Sequence, residues 1–145
     1  MKKLINTAFV YAILGMIGGV FFREFTKFNG FTGRTTLGVV HLHLFVLGMI
    51  FFLIIALFNK DYHLVDHKNF NVFYGVYNAG IGVAVLMFLT RGIVQVLGTP
   101  LSKGLSAAIS GVSGIGHIMI AIGIILFFTI LKKQLQSFEG THNLN

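Results

Sequence analysis

At 145 residues the chain has room for one domain. Hydrophobic residues make up 55% and charged residues 10%, which excludes an ordinary soluble core and points to an all-α chain embedded in a membrane. The net charge of +7 sits at the ends of apolar runs, where cations anchor helices at headgroups, so nucleic acid is excluded as a partner. The absence of cysteine excludes disulfides, iron–sulfur ligation, thiolate chemistry and covalent heme attachment.

A spanning helix needs roughly 20 apolar residues. Four such runs fit, at about residues 4–22, 37–58, 70–90 and 105–131, and together they predict a single four-helix transmembrane domain. The connections are short, so neighbouring helices should run antiparallel as a bundle.

The first run follows Met1-Lys2-Lys3, which resembles the start of a signal peptide. It continues into Phe21-Phe22-Arg23 with no small-residue cleavage site, so a retained helix is expected. Its Gly15-x-x-x-Gly19 spacing, with Gly18 alongside, lets helices approach closely in lipid and would suit contact between subunits. Thr35 and Thr36 are candidate caps for the second run, which holds His41 and His43. The connection after it carries Asp61, His63, Asp66 and His67; loop histidines beside water are read as solvated rather than as a metal site.

The third run carries Asn78 near Tyr74 and Tyr77, is followed by Arg91 and Gln95, and ends before Pro100. Ser102 or Ser106 should cap the fourth, where small residues such as Ser113, Gly114 and Ala121 surround His117. The polar tail over residues 134–145 is expected to fray. For orientation, Lys2, Lys3, Lys60, Lys68, Lys132 and Lys133 stand against Arg23, Lys27, Arg34, Arg91 and Lys103. The balance favours both termini inside a bacterial cytoplasmic membrane.

Ionisable groups at membrane depth are costly and face a partner, a cavity or a cofactor. His41, His43 and His117 have no carboxylate inside their runs, which favours a metal cofactor over a proton relay. Residues two apart on a helix project roughly 200° from one another. His41 and His43 therefore cannot both chelate one small ion, and serve different sites or different roles. Small neighbours around His117 leave clearance for the edge of a porphyrin. Counted from the starts of their runs, all three imidazoles fall in one half of the bilayer, with a vertical offset of about 6–12 Å between the second and fourth runs. An axial pair is feasible only at the lower end of that range. Asn78 could complete such a site, and Arg91, Arg34 or Arg23 could neutralise heme propionates at the membrane edge.

The segment His41-Leu42-His43-Leu44-Phe45-Val46-Leu47-Gly48 resembles the H-x-H-x-x-x-x-G helix of heme-bearing membrane proteins related to heme-copper oxidases and nitric-oxide reductases. The whole chain also resembles a family of small four-helix bacterial membrane proteins without an assigned function. That likeness runs through Arg23-Glu24-Phe25-Thr26-Lys27, the H-x-H helix, Leu101-Ser102-Lys103-Gly104-Leu105 and Gly114-Ile115-Gly116-His117. The oxidase resemblance implies one four-helix unit of a ring of such units, hence a homotrimer with divergent His41 and His43 serving neighbouring sites. No consecutive His-His pair and no His-x-x-x-Tyr pattern occurs, so reduction of oxygen or nitric oxide at a heme-copper pair is not implied, and no catalytic residue is assigned.

The expectation is therefore a membrane protein binding non-covalent heme b through His41, His43 and His117. Its role would be electron transfer, or heme or diatomic-gas binding, with a redox partner that the sequence does not name. The alternatives are a transport or channel-like protein whose histidines line a proton or metal-ion path, and a structural accessory subunit.

Overall fold

Four helices carry the four apolar runs among the described residues, 1–142, of the computed structural model. They are α1 (Lys2–Phe28), α2 (Leu37–Tyr62), α3 (Phe70–Leu97) and α4 (Lys103–His142). Each contains a stretch apolar and long enough to cross a membrane, so the molecule is an all-α integral membrane bundle. A short 3-10 turn, Leu64–Asp66, lies between α2 and α3.

The ends of the helices follow local chemistry. The Ser102 hydroxyl accepts from the Leu105 N–H at 3.2 Å, capping α4. Thr35 and Thr36 act differently from simple caps. Their hydroxyls donate across to α3, at Gly92 O (3.0 Å) and Phe88 O (2.8 Å), and so fasten the start of α2 to its neighbour. Gly98, at φ +64, closes α3 in the left-handed conformation that glycine adopts without penalty. At the far end α4 runs on to His142, past the point at Gln134 where fraying is expected. The N–H of the Gln134 side chain donates to His63 O at 3.0 Å, tying the extension to the α2–α3 connection. Residues 143–145, the last of the expected tail, lie outside the described residues.

Lipid supplies no hydrophobic drive between helices, so close backbone approach must hold them together. α1 packs chiefly on α2, α3 packs on α4, and α2 lies against α3. The α3–α4 seam is the tightest. A Cβ on Gly80 would stand 2.8 Å from Ile120 N, and one on Gly116 would stand 2.8 Å from Ala84 N. On α1, Gly15 receives the Phe45 ring, Gly18 meets Val40, and Gly19 lies beside His41. The Gly15-x-x-x-Gly19 face thus meets α2 of the same chain, the close helix approach that its spacing allows.

α2 is not uniform. It is α-helical over Leu37–His43, widens to a π-helix over Leu44–Ile50, and returns to α-helix over Phe51–Tyr62. Gly48 sits in the widened part, where a Cβ would collide with the Tyr11 ring of α1. The buried Tyr77 hydroxyl of α3 donates to Leu47 O at 3.0 Å, giving a carbonyl of the irregular segment a partner. Below this point Phe52, Phe73 and Tyr77 form the fully buried aromatic centre, with Phe51 4.7 Å from Tyr77 and 5.2 Å from Phe127 between ring centroids.

Candidate functional site

His41 and His43 leave α2 in different directions, as their two-residue spacing requires. His41 turns towards α1, where it lies between Phe22 (6.4 Å between centroids) and Phe45 (6.5 Å). Its Nδ1 is buried with no hydrogen-bond partner. His43 turns towards α3 and α4. Its ring centroid is 6.1 Å from that of His117, and the two planes are 85° apart.

Each member of this pair is fixed by its own helix. His43 Nδ1 lies 2.9 Å from Val39 O, and His117 Nδ1 lies 2.8 Å from Ser113 O, both one turn back. A backbone carbonyl only accepts, so in both bonds Nδ1 carries the hydrogen. That leaves the lone pair of each Nε2 free, the tautomer a metal-binding histidine needs. The π-helix begins at Leu44, immediately after His43, and such irregular segments recur beside functional positions.

The rings come level because α4 starts further out than α2. His43 is six residues into its helix and His117 fourteen into its own. By helical rise α4 therefore extends about 12 Å beyond the start of α2. A depth measured from where the apolar runs begin misses this overhang.

Phe88, which the sequence did not single out, completes the cluster. Its ring lies 4.8 Å from His43 and 5.6 Å from His117. Arg91 follows one turn later on α3. Its guanidinium donates to Ser106 O at 3.0 Å and to the Ser110 hydroxyl at 2.7 Å. Ser110 is two turns, about 10 Å, before His117 on nearly the same face of α4. A cation thus stands above the histidine pair towards the α3–α4 connection. His117 itself is exposed on the surface of the single chain, whereas His43 is half-buried.

The remaining candidates are elsewhere. Asn78 is about 15 Å along α3 from Phe88, and its amide belongs to another polar group. It accepts from the Tyr11 hydroxyl at 2.6 Å and donates to Tyr74 O at 2.6 Å. It does not join the histidines. Arg23 pairs with Glu24 at 3.8 Å on the exposed surface. In the α2–α3 connection, His63 Nδ1 is 3.9 Å from Asp66 Oδ2, and His67 Nδ1 accepts from the Asn69 N–H at 3.2 Å. Among the described residues, no three His, Asp or Glu side chains converge as a set able to hold a bare metal ion.

Fold and site together define an integral membrane four-helix bundle with a pair of tautomerically fixed imidazoles brought together at membrane depth from two helices. The chain belongs to the family described as "Protein of unknown function (DUF2871)", whose model matches residues 1–134. Comparison with curated proteins and with solved structures gives no match.

Proposed function

We propose that the protein binds a b-type heme through His43 and His117 and serves in electron transfer or in binding heme or a diatomic gas. The observation that carries this reading is the pair itself: two imidazoles from separate helices, 6.1 Å apart, each with Nδ1 tied back and Nε2 free. His43 and His117 would hold the metal of such a group through their Nε2 atoms. Among the described residues no third His, Asp or Glu joins the pair, so a bound metal would bring its other ligands with it. A porphyrin does this, and when bound it supplies a one-electron couple tuned by its axial ligands and surroundings.

The surroundings support the same reading. Phe88 offers an apolar wall, and Arg91 stands one turn further out where propionates would need a cation. His41 is assigned no ligand role here, because it faces α1 between two aromatic rings.

The exposed position of His117 further favours assembly. A polar ring edge facing hydrocarbon is costly, and a neighbouring chain over this face would remove that cost. The resemblance of the H-x-H helix to oxidase relatives makes a homotrimer the preferred count. Adding hemin to the heme-free protein in nanodiscs should give a saturable Soret shift at one heme per chain. Native mass spectrometry of the same sample should show the trimer. An absent Soret response sinks the heme assignment, while a monomer holding full heme sinks only the assembly.

A further inference from the structure

A second polar feature lies between α1 and α3. α1 and α3 do not close on one another, and a cleft of about 590 Å³ separates them. Two hydrogen bonds cross it. The Thr7 and Tyr74 hydroxyls meet at 2.7 Å, and one turn deeper the Tyr11 hydroxyl donates to Asn78 Oδ1 at 2.6 Å. Lys3 stands at the mouth with its ammonium 3.9 Å above the Tyr74 ring. Val10, Leu14, Leu44, Ile81 and Val85 supply apolar walls. Leu44 adjoins His43 in the chain, so the inner end of the cleft reaches the level of the histidine pair.

The protons of this cluster can be followed. Thr7 donates to Lys3 O at 2.8 Å, so Tyr74 must donate to Thr7. Tyr11 donates to Asn78, and Asn78 gives one of its two N–H groups to Tyr74 O. Lys3 and Asn6 offer donors near the mouth, the Lys3 ammonium at the level of Tyr74, and deeper in the cleft the second N–H of Asn78 is left for a ligand. The Lys3 and Asn78 donors matter most here. They stand about one helical turn, roughly 6 Å, apart along the membrane normal. The hydroxyl oxygens of Tyr11 and Tyr74 keep free lone pairs at the same two levels.

We propose that this cleft binds a ligand of the quinone class: a flat six-membered ring with an oxygen at each para position and an apolar tail. One oxygen meets Lys3 and the other meets Asn78, and the tail follows the apolar walls. In the reduced ligand, the two ring hydroxyls donate to the Tyr74 and Tyr11 oxygens. Polar groups at membrane depth are costly unless they serve such a purpose. A phospholipid head or a fatty-acid carboxylate would stop beside Lys3 and leave the Tyr11–Asn78 pair facing a hydrocarbon chain. A ring with acceptors at both ends uses both levels. This inference does not rest on the heme assignment.

Gly82 lines the cleft, and a Cβ added there meets nothing within 4 Å, so Gly82→Leu starts a bulky side chain in open space at the cleft. Gly75 is equally open but lies outside the cleft, which makes Gly75→Leu the matched control. Binding of a decyl-substituted benzoquinone to the protein in nanodiscs, followed by equilibrium dialysis, should saturate at one per chain. Gly82→Leu should weaken it at least tenfold with the melting curve unchanged, and Gly75→Leu should leave it as in wild type. Asn78→Leu should also weaken it. Absence of saturable binding to wild type overturns the proposal, as does wild-type affinity in Gly82→Leu. Displacement of the quinone by decanoate or lysophospholipid as readily as by unlabelled quinone overturns it in favour of a lipid site.

Discussion

The ring centroids of His43 and His117 stand 6.1 Å apart with their planes at 85°, although 74 positions separate them in the chain and each sits on a helix of its own. Their Nδ1 atoms are committed to the carbonyls of Val39 and Ser113. Whatever the pair binds must therefore be met by Nε2.

From this follows an ordering of the histidines by substitution. His43→Ala and His117→Ala should each abolish the low-spin heme spectrum or convert it to high spin. His41→Ala, His63→Ala and His67→Ala should keep it. Absorption and electron paramagnetic resonance spectra of the five variants check the ordering. A wild-type spectrum in His117→Ala would transfer the ligand role to His41 and His43 of different chains.

The π segment of α2 makes a second prediction. Tyr77→Phe removes the hydroxyl that serves Leu47 O at a fully buried position. The hydrogen bond lost there contributes about 0.5–1.5 kcal/mol. Unfolding in mixed micelles should move by that amount. No change would mean that the Leu47 carbonyl finds another donor within α2.

The α3–α4 seam makes a third. Gly80→Val must push a side chain into the backbone of α4 at Ile120 N and Gly116 O, which stand 2.8 and 2.9 Å from the Cβ position. Overpacking of this kind costs about 1–3 kcal/mol. Gly75→Ala, in open space on the same helix, should be neutral or stabilising by up to about 1 kcal/mol. Equal melting temperatures for the two variants would contradict the packing described for the seam.

His63 gives a fourth, outside the bilayer. It closes α2 with φ +49, a left-handed conformation that costs a residue with a side chain roughly 1–2 kcal/mol. Its contact with Asp66, 3.9 Å and exposed, contributes little against this. His63→Gly should raise the melting temperature while the bond from Gln134 to the backbone at this position persists. A fall would show that the side chain holds the connection.

Much of the bundle is legible in the sequence, for reasons these residues show. α2 and α3 begin at Leu37 and Phe70, where the apolar runs begin, because burial and span length act on the same residues. The ends of α2, α3 and α4 lie further on than the runs do, since a helix continues through lysines and glutamines that no membrane needs to hold. The divergence of His41 and His43 was also legible, because it follows from rotation per residue alone. The choice between them was not. It depends on which neighbour each side of α2 meets, and only packing places Gly19 beside one and Phe88 beside the other. The π-helix escaped for a related reason. It arises where Gly48 must pass Tyr11, a contact between residues 37 apart. Asn78 stands out in the sequence as a polar residue at membrane depth, but its partners, Tyr11 and the Tyr74 carbonyl, do not, since a mid-membrane amide does not announce its partner.

The most direct measurement is the reduced-minus-oxidised visible spectrum of the protein purified from heme-replete cells, followed by extraction with acidified acetone. Ligation by His43 and His117 predicts sharp α and β bands on reduction and complete release of the pigment into the acetone phase. A colourless preparation that also fails to respond to added hemin would contradict the account.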